Sequence, residues 1–334
     1  MELFLIYDIL HTKAAVIHTW RYAYHVVDSA ITYALLIGAI LLEITTLLGT
    51  VGLWLDSIGQ YNLFDFYTCD MTDLRGRIAM KHNPSISRDI KELLPNEIPK
   101  RGLGDIKSAR GMCILHGNGI YDKLSWSMED IDFEKSILVW HVATDIYLYC
   151  CKEEVEYSKP LVAKAIKEIS NYMLYFLVQH PNMLPGRIRC CRYPEVCASL
   201  VKLWQEQYTS SLEGQDNNRS KSEKLASLLL KKFGSESTKV DKHGQVYHLG
   251  AALAGCLLRN EWNVPDMLGL TARVWFEMLC YAAHHCSKES HARQLSTGGE
   301  FLTMCGFSWS ISEISSFRMM RDLVMYQPRY LNSS

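Results

Sequence analysis

AITYALLIGAILLEITTLLGTVGLWL, residues Ala30–Leu55, decides how the rest of the chain is read. It runs for about 26 residues and carries one charge, Glu43. About 20 apolar residues are enough to cross a bilayer core as a helix. Trp20, Arg21, Tyr22, Tyr24 and His25 precede it and Trp54 stands near its end. Such side chains favour the headgroup level at both ends of a spanning helix. The stretch predicts a transmembrane helix over about 30–55. The competing reading is a buried core helix, since its threonines, its glycines and Glu43 make it less apolar than a lone anchor. Core helices seldom run this long without a polar face. Glu43 falls near mid-span, where an ionised group costs about 3 kcal/mol unless it is protonated or paired. Ala30, Ala34 and Gly38 recur every fourth residue, which lets another helix approach closely. The expected partners are the lipid bilayer and other membrane helices or proteins.

Working outward, the remainder reads as water-facing. With 334 residues the chain can hold one or two domains beside a membrane segment. A net charge of −1 excludes a nucleic-acid binder that relies on bulk charge. Eleven cysteines all follow the apolar stretch, at irregular spacing and without a CxxC. An odd count with no framework predicts reduced thiols in a cytoplasmic compartment. The N-terminal MELFLIYDIL has Glu2 in place of a basic start and Asp8 within its apolar run, so it is a poor secretory signal.

The chain divides by pattern into a membrane-associated part (1–66), a polar linker and loop region (67–128), a helical domain (129–303) and an atypical tail (304–334). Met1–His18 reads as an amphipathic helix, Ser57–Phe66 as an exit turn with a short helix, and Thr72–Leu94 as polar. Pro95–Ser127 carries two prolines and five glycines and reads as loop. Helical periodicity then predicts Asp130–Cys151, with a stripe of Phe133, Ile137, Trp140, His141, Thr144, Tyr147 and Leu148. Further helices are predicted over Lys159–Gln179, Pro194–Tyr208, Ser222–Phe233 and Val246–Arg259. Another is opened by Pro265 and runs to about His285. Residues 209–221 read as a flexible linker. No alternating strand pattern or internal repeat occurs.

Two constellations could carry chemistry. His141 and Asp145 lie four apart on one helix face, so the carboxylate could orient the ring as a general base. No Gly-x-Ser-x-Gly elbow supplies a nucleophile, and the acyltransferase spacing needs one more residue between them. The alternative is a buried, hydrogen-bonded structural pair. Cys280, His284 and His291 cluster near one helix end and could ligate a metal, although the spacing fits no common zinc module. Histidines at the negative end of a helix dipole are the competing reading. The HGNG of His116–Gly119 lacks the Lys-Ser/Thr of a phosphate loop. In SHARQLSTGGE, Ser290–Glu300, a turn with capping glycines is expected. No cofactor is expected.

Five blocks resemble one family in order: Arg21–Glu43, SIGQYNL (Ser57–Leu63), ILVWHVATDIYL (Ile137–Leu148), Glu168–Pro185 and Val274–Thr303. They are similar to plant membrane proteins that carry domain of unknown function 4220, with domain of unknown function 594 towards the C-terminus. Asn171 stands where that family often has aspartate. The resemblance implies a bundle of membrane helices followed by a largely helical cytoplasmic region, and no established activity. After Thr303 it stops, and the serine-rich text from Cys305 is expected to be a frame-shifted tail. The expected fold is mainly α, with an N-terminal transmembrane helix or the remnant of a membrane bundle. The expected function is that of a membrane-anchored interaction or scaffold module without enzymatic activity. The alternatives are a membrane-associated hydrolase or transferase using His141 and Asp145, and a soluble helical remnant of a truncated family member.

Overall fold

The computed structural model describes residues 32–33, 35–39, 59–64, 109–152, 159–186, 192–210, 220–235, 244–259, 266–296, 302–303 and 305. It divides the chain into two compact units, Met1–Leu53 and Trp54–Ser334. The first unit is described at Thr32, Tyr33 and Leu35–Ala39, all helical and all exposed. Among the described residues no helix is long and apolar enough to cross a membrane, so the expected spanning helix has no support among them. Most of Ala30–Leu55 lies outside the described residues, as do Met1–His18 and Thr72–Leu94.

The second unit is helical, with no strand among its described residues. In chain order its helices are α1 (Met112–Gly117), α2 (Tyr121–Leu124), α3 (Phe133–Cys150), α4 (Pro160–Gln179) and α5 (Arg192–Ser210). They continue with α6 (Lys221–Phe233), α7 (Val246–Arg259), α8 (Met267–His285) and α9 (Lys288–Ser296). Short 3-10 turns follow α2, at Ser125–Ser127, and α4, at Pro181–Met183.

The core is organised around α3, which packs against α4, α6 and α7. Its sequence suggests one buried stripe, but nearly every residue from Phe133 to Tyr147 is buried. Polar members of α3 survive this burial because each has a partner. Trp140 Nε1 donates to Ser127 Oγ at 3.1 Å, and Trp275 Nε1 of α8 donates to Thr144 Oγ1 at 2.9 Å. Unpaired, each would cost on the order of 1–3 kcal/mol.

Four expectations need correction. The loop read over Pro95–Ser127 ends in helix: α1, α2 and a 3-10 turn carry Ile114, Leu115, Ile120 and Leu124 into the core. Gly111, Gly117 and Gly119 are punctuation around the short helices. Gly111, at φ 101°, sits at the N-cap of α1 in a conformation a side chain would resist. Both ends of the stretch read as a flexible linker belong to helices, because α5 runs to Ser210 and Ser220 caps α6. The Ser220 hydroxyl accepts from Glu223 N–H while the Glu223 carboxylate accepts from Ser220 N–H, a capping box. Finally, α8 is started by Asp266, whose carboxylate accepts from Gly269 N–H at 2.8 Å. Pro265 lies outside the described residues. The polar block after α8 is largely helix α9, and Gly298 and Gly299 also lie outside the description.

Candidate functional site

The most concentrated buried polar chemistry lies where Gly59–Phe64 crosses α3 and α4. This segment, called the strap below, buries Tyr61, Asn62, Leu63 and Phe64. Phe64 stacks on Tyr149 and Tyr61 meets the Tyr175 ring edge-on. The apolar side chains hold the strap down, so its backbone needs internal partners.

Those partners are one backbone carbonyl of α4, side chains of α3 and α4, and Asn62 of the strap itself. Tyr61 N–H donates to the Asn171 carbonyl at 3.0 Å. Asn62 Nδ2 donates to Asp145 Oδ2 at 2.8 Å and to Asn171 Oδ1 at 3.0 Å. Asn62 Oδ1 accepts from Phe64 N–H at 2.8 Å, an Asx turn that folds the strap on itself. Leu63 N–H donates to His141 Nε2 at 3.1 Å, and His141 Nδ1 lies 2.8 Å from Ser170 Oγ. Gln179 Nε2 donates to the Tyr61 hydroxyl.

The hydrogen-bond pattern fixes the state of His141. A ring nitrogen that accepts an amide proton holds none of its own. The proton therefore sits on Nδ1, donated to Ser170, and the imidazole is neutral. Asp145 Oδ2 stands 3.7 Å from Nε2, on the side that has no proton to give.

Ser170, His141 and Asp145 thus form a serine–histidine–aspartate trio, but wired unlike a nucleophilic triad. There the carboxylate orients one ring nitrogen and the other is left to take the serine proton. Here serine and aspartate sit on the opposite nitrogens from those roles' usual coupling, with a backbone amide on Nε2. His141 and Ser170 are 0% exposed and Asp145 1%. The sequence pattern finds His141 and Asp145. It misses Asn62, Ser170 and Asn171, whose signal is weak: polar residues inside the blocks SIGQYNL and EISNYML.

The metal candidates are not brought together. Cys280 is buried, His284 is exposed, and His291 uses both ring nitrogens, on Thr303 Oγ1 at 3.2 Å and the Ala283 carbonyl at 3.1 Å. Among the described residues no group of three His, Cys, Asp or Glu could hold a metal ion. Burial pushes the Cys280 thiol well above its ordinary range and that of Cys305 up to about 12. Protonated thiols are poor ligands and poor nucleophiles. His284 and His285 occupy the last turn of α8, where a helix dipole favours them. Among the described residues no cysteine forms a disulfide. His116 of the HGNG segment is exposed and stacks on Tyr121.

Another buried carboxylate lies outside both candidate sets. Glu277 of α8 accepts from the Cys113 and Ile114 amides at 3.1 and 3.0 Å, closing the N-terminus of α1. Burial raises its pKa, and those amide bonds oppose the rise.

The family described as "Protein of unknown function, DUF594" matches residues 260–307. The matched stretch runs past Thr303 and includes Cys305, which is helical and buried. It is not separate from the rest of the core: Trp275 bonds α3, Glu277 caps α1, and Leu302 N–H donates to the Tyr172 hydroxyl of α4 at 2.9 Å. No curated protein and no solved structure matches the chain.

Proposed function

We propose that this chain is a membrane-anchored, non-enzymatic interaction or scaffold module of the plant family with domain of unknown function 4220. In this reading its helical second unit lies on the cytoplasmic side. What carries the reading is the helix around residues 32–39. Tyr33, Leu35, Leu36 and Ile37 are 65%, 70%, 57% and 55% exposed. At about 100° per residue, the last three point in different directions around the axis. A soluble helix buries one apolar side, whereas a helix in lipid presents apolar residues all round. The sealed geometry at His141 supports the non-enzymatic half, because a general base must reach a substrate proton.

Alkaline carbonate extraction of membranes from cells expressing the full chain tests the anchor. The protein should stay in the pellet, and quantitative release into the supernatant would refute it. Orientation has a built-in reporter in the sequon Asn218-Arg219-Ser220. In a secretory host no glycosidase-sensitive mass shift should appear, and a shift abolished by Asn218→Gln would invert the topology.

A further inference from the structure

We propose that the strap Gly59–Phe64 is a proton-released latch, closed by neutral His141 and opened when that ring takes up a proton. The proposal stands on the hydrogen-bond geometry and does not depend on membrane anchoring.

The closed strap needs a lone pair on His141 Nε2, because Leu63 N–H donates to it. A proton there would set two N–H groups against each other. Solvent supplies the proton, and the buried ring meets it when the strap opens locally. One N–H bond forms at Nε2 and the Leu63 hydrogen bond is lost. The resulting imidazolium has a counter-charge ready in Asp145, whose Oδ2 lies 3.7 Å from Nε2. That same oxygen is the acceptor for Asn62. A carboxylate oxygen can accept from both, so the attachment the proton removes directly is the Leu63 hydrogen bond. Among the described residues, the groups facing the imidazole include Asp145 from α3, Ser170 from α4, and the Leu63 amide with Asn62 from the strap. Of these Asp145 is the one that titrates, and its protonation at lower pH would weaken the Asn62 bond in the same direction.

The sign follows from linkage. The open state binds one more proton than the closed state, so closure is favoured as pH rises and lost as it falls. Below the ordinary imidazole range, about pH 6.5, the open-to-closed ratio should rise by up to about tenfold per pH unit.

Hydrogen–deuterium exchange of the full chain tests this, with labelling times scaled for intrinsic exchange, between about pH 7.5 and about pH 5. Peptides spanning Gly59–Phe64 should lose protection about tenfold or more on acidification, while peptides from Val246–Arg259 keep theirs. Strap protection that is unchanged, or lost only together with α7, overturns the proposal. So does a midpoint below about pH 5, which would assign the event to carboxylates. His141→Gln offers an amide oxygen to Leu63 N–H and should give protection independent of pH in the imidazole range. Retained pH dependence in that variant also overturns the proposal. Should His141→Gln fail to fold, the wild-type midpoint and the α7 control decide alone.

Discussion

Asn171 and Tyr172, neighbours on α4, hold chain segments from opposite sides of the sequence. Asn171 takes Tyr61 N–H on its carbonyl and Asn62 on its side chain, while the Tyr172 hydroxyl takes Leu302 N–H. Removing the second clasp by Tyr172→Phe leaves a buried amide unpaired and should cost about 1–2 kcal/mol in urea unfolding. Asn171→Asp should instead make stability fall as pH rises. It would set a second carboxylate against the one Asn62 amide that Asp145 already uses, and two carboxylates sharing a site hold one pKa up. A urea midpoint series from about pH 5 to pH 8 reads this.

Asp145→Ala should destabilise the chain by about 2–4 kcal/mol, since it strips the acceptor from buried Asn62 and leaves a hole beside His141. Asp145→Asn retains an oxygen for Asn62 and should cost less than half as much. Thermal unfolding of both variants distinguishes them. Equal losses would mean that the charge, and not the acceptor, matters here.

Glu277 makes a pH-dependent contribution of definite sign. Burial holds its folded pKa above the ordinary 4.5, despite the amides of Ile114 and Cys113. Its contribution is therefore fully present below about pH 4.5 and lost as pH rises through the raised folded value. Glu277→Gln should flatten that slope in urea midpoints. Glu277→Ala leaves the α1 amides without their acceptor and should cost about 1–3 kcal/mol.

Gly255 and Gly117 make a matched pair. A Cβ on Gly255 would meet the Gly234 carbonyl oxygen at 2.0 Å, whereas one on Gly117 meets nothing within 4 Å. Gly255→Ala should cost about 1–3 kcal/mol by overpacking α7 against the end of α6. Gly117→Ala should be neutral or stabilise by up to about 1 kcal/mol through the unfolded chain. Thermal melts of the two variants should shift in opposite directions or differ by several degrees.

What the sequence made legible follows its physics. The helices of the second unit announce themselves through apolar recurrence every three to four residues, and α7 falls on Val246–Arg259 as its text suggests. The cap of Ser220 and Glu223 is a local signal too, but the expected helix begins only at Ser222 and leaves Ser220 in the linker. The all-round burial of α3 was hidden, because Glu134, Ser136 and Asp145, outside the expected stripe, look like a polar face until their partners are known. Those partners sit far off: Asn62 reaches Asp145 across 83 residues and Asn171 across 109. No periodicity encodes such a pairing. Residues 112–127 were misread for the opposite reason, since the glycines that separate short helices resemble those of an open loop.

The separation of 109 residues between Asn62 and Asn171 also sets a clock. At about 5–20 residues per second, the ribosome needs roughly 5–20 s after making Asn62 to deliver Asn171. The Leu302 amide that Tyr172 will receive comes later still. Throughout that interval the amide of Tyr61 can bond only water or a passing partner, and that of Leu63 waits 78 residues for His141. The strap is thus born long before its place in the core exists, and a chaperone that shields Tyr61–Phe64 would act in that window.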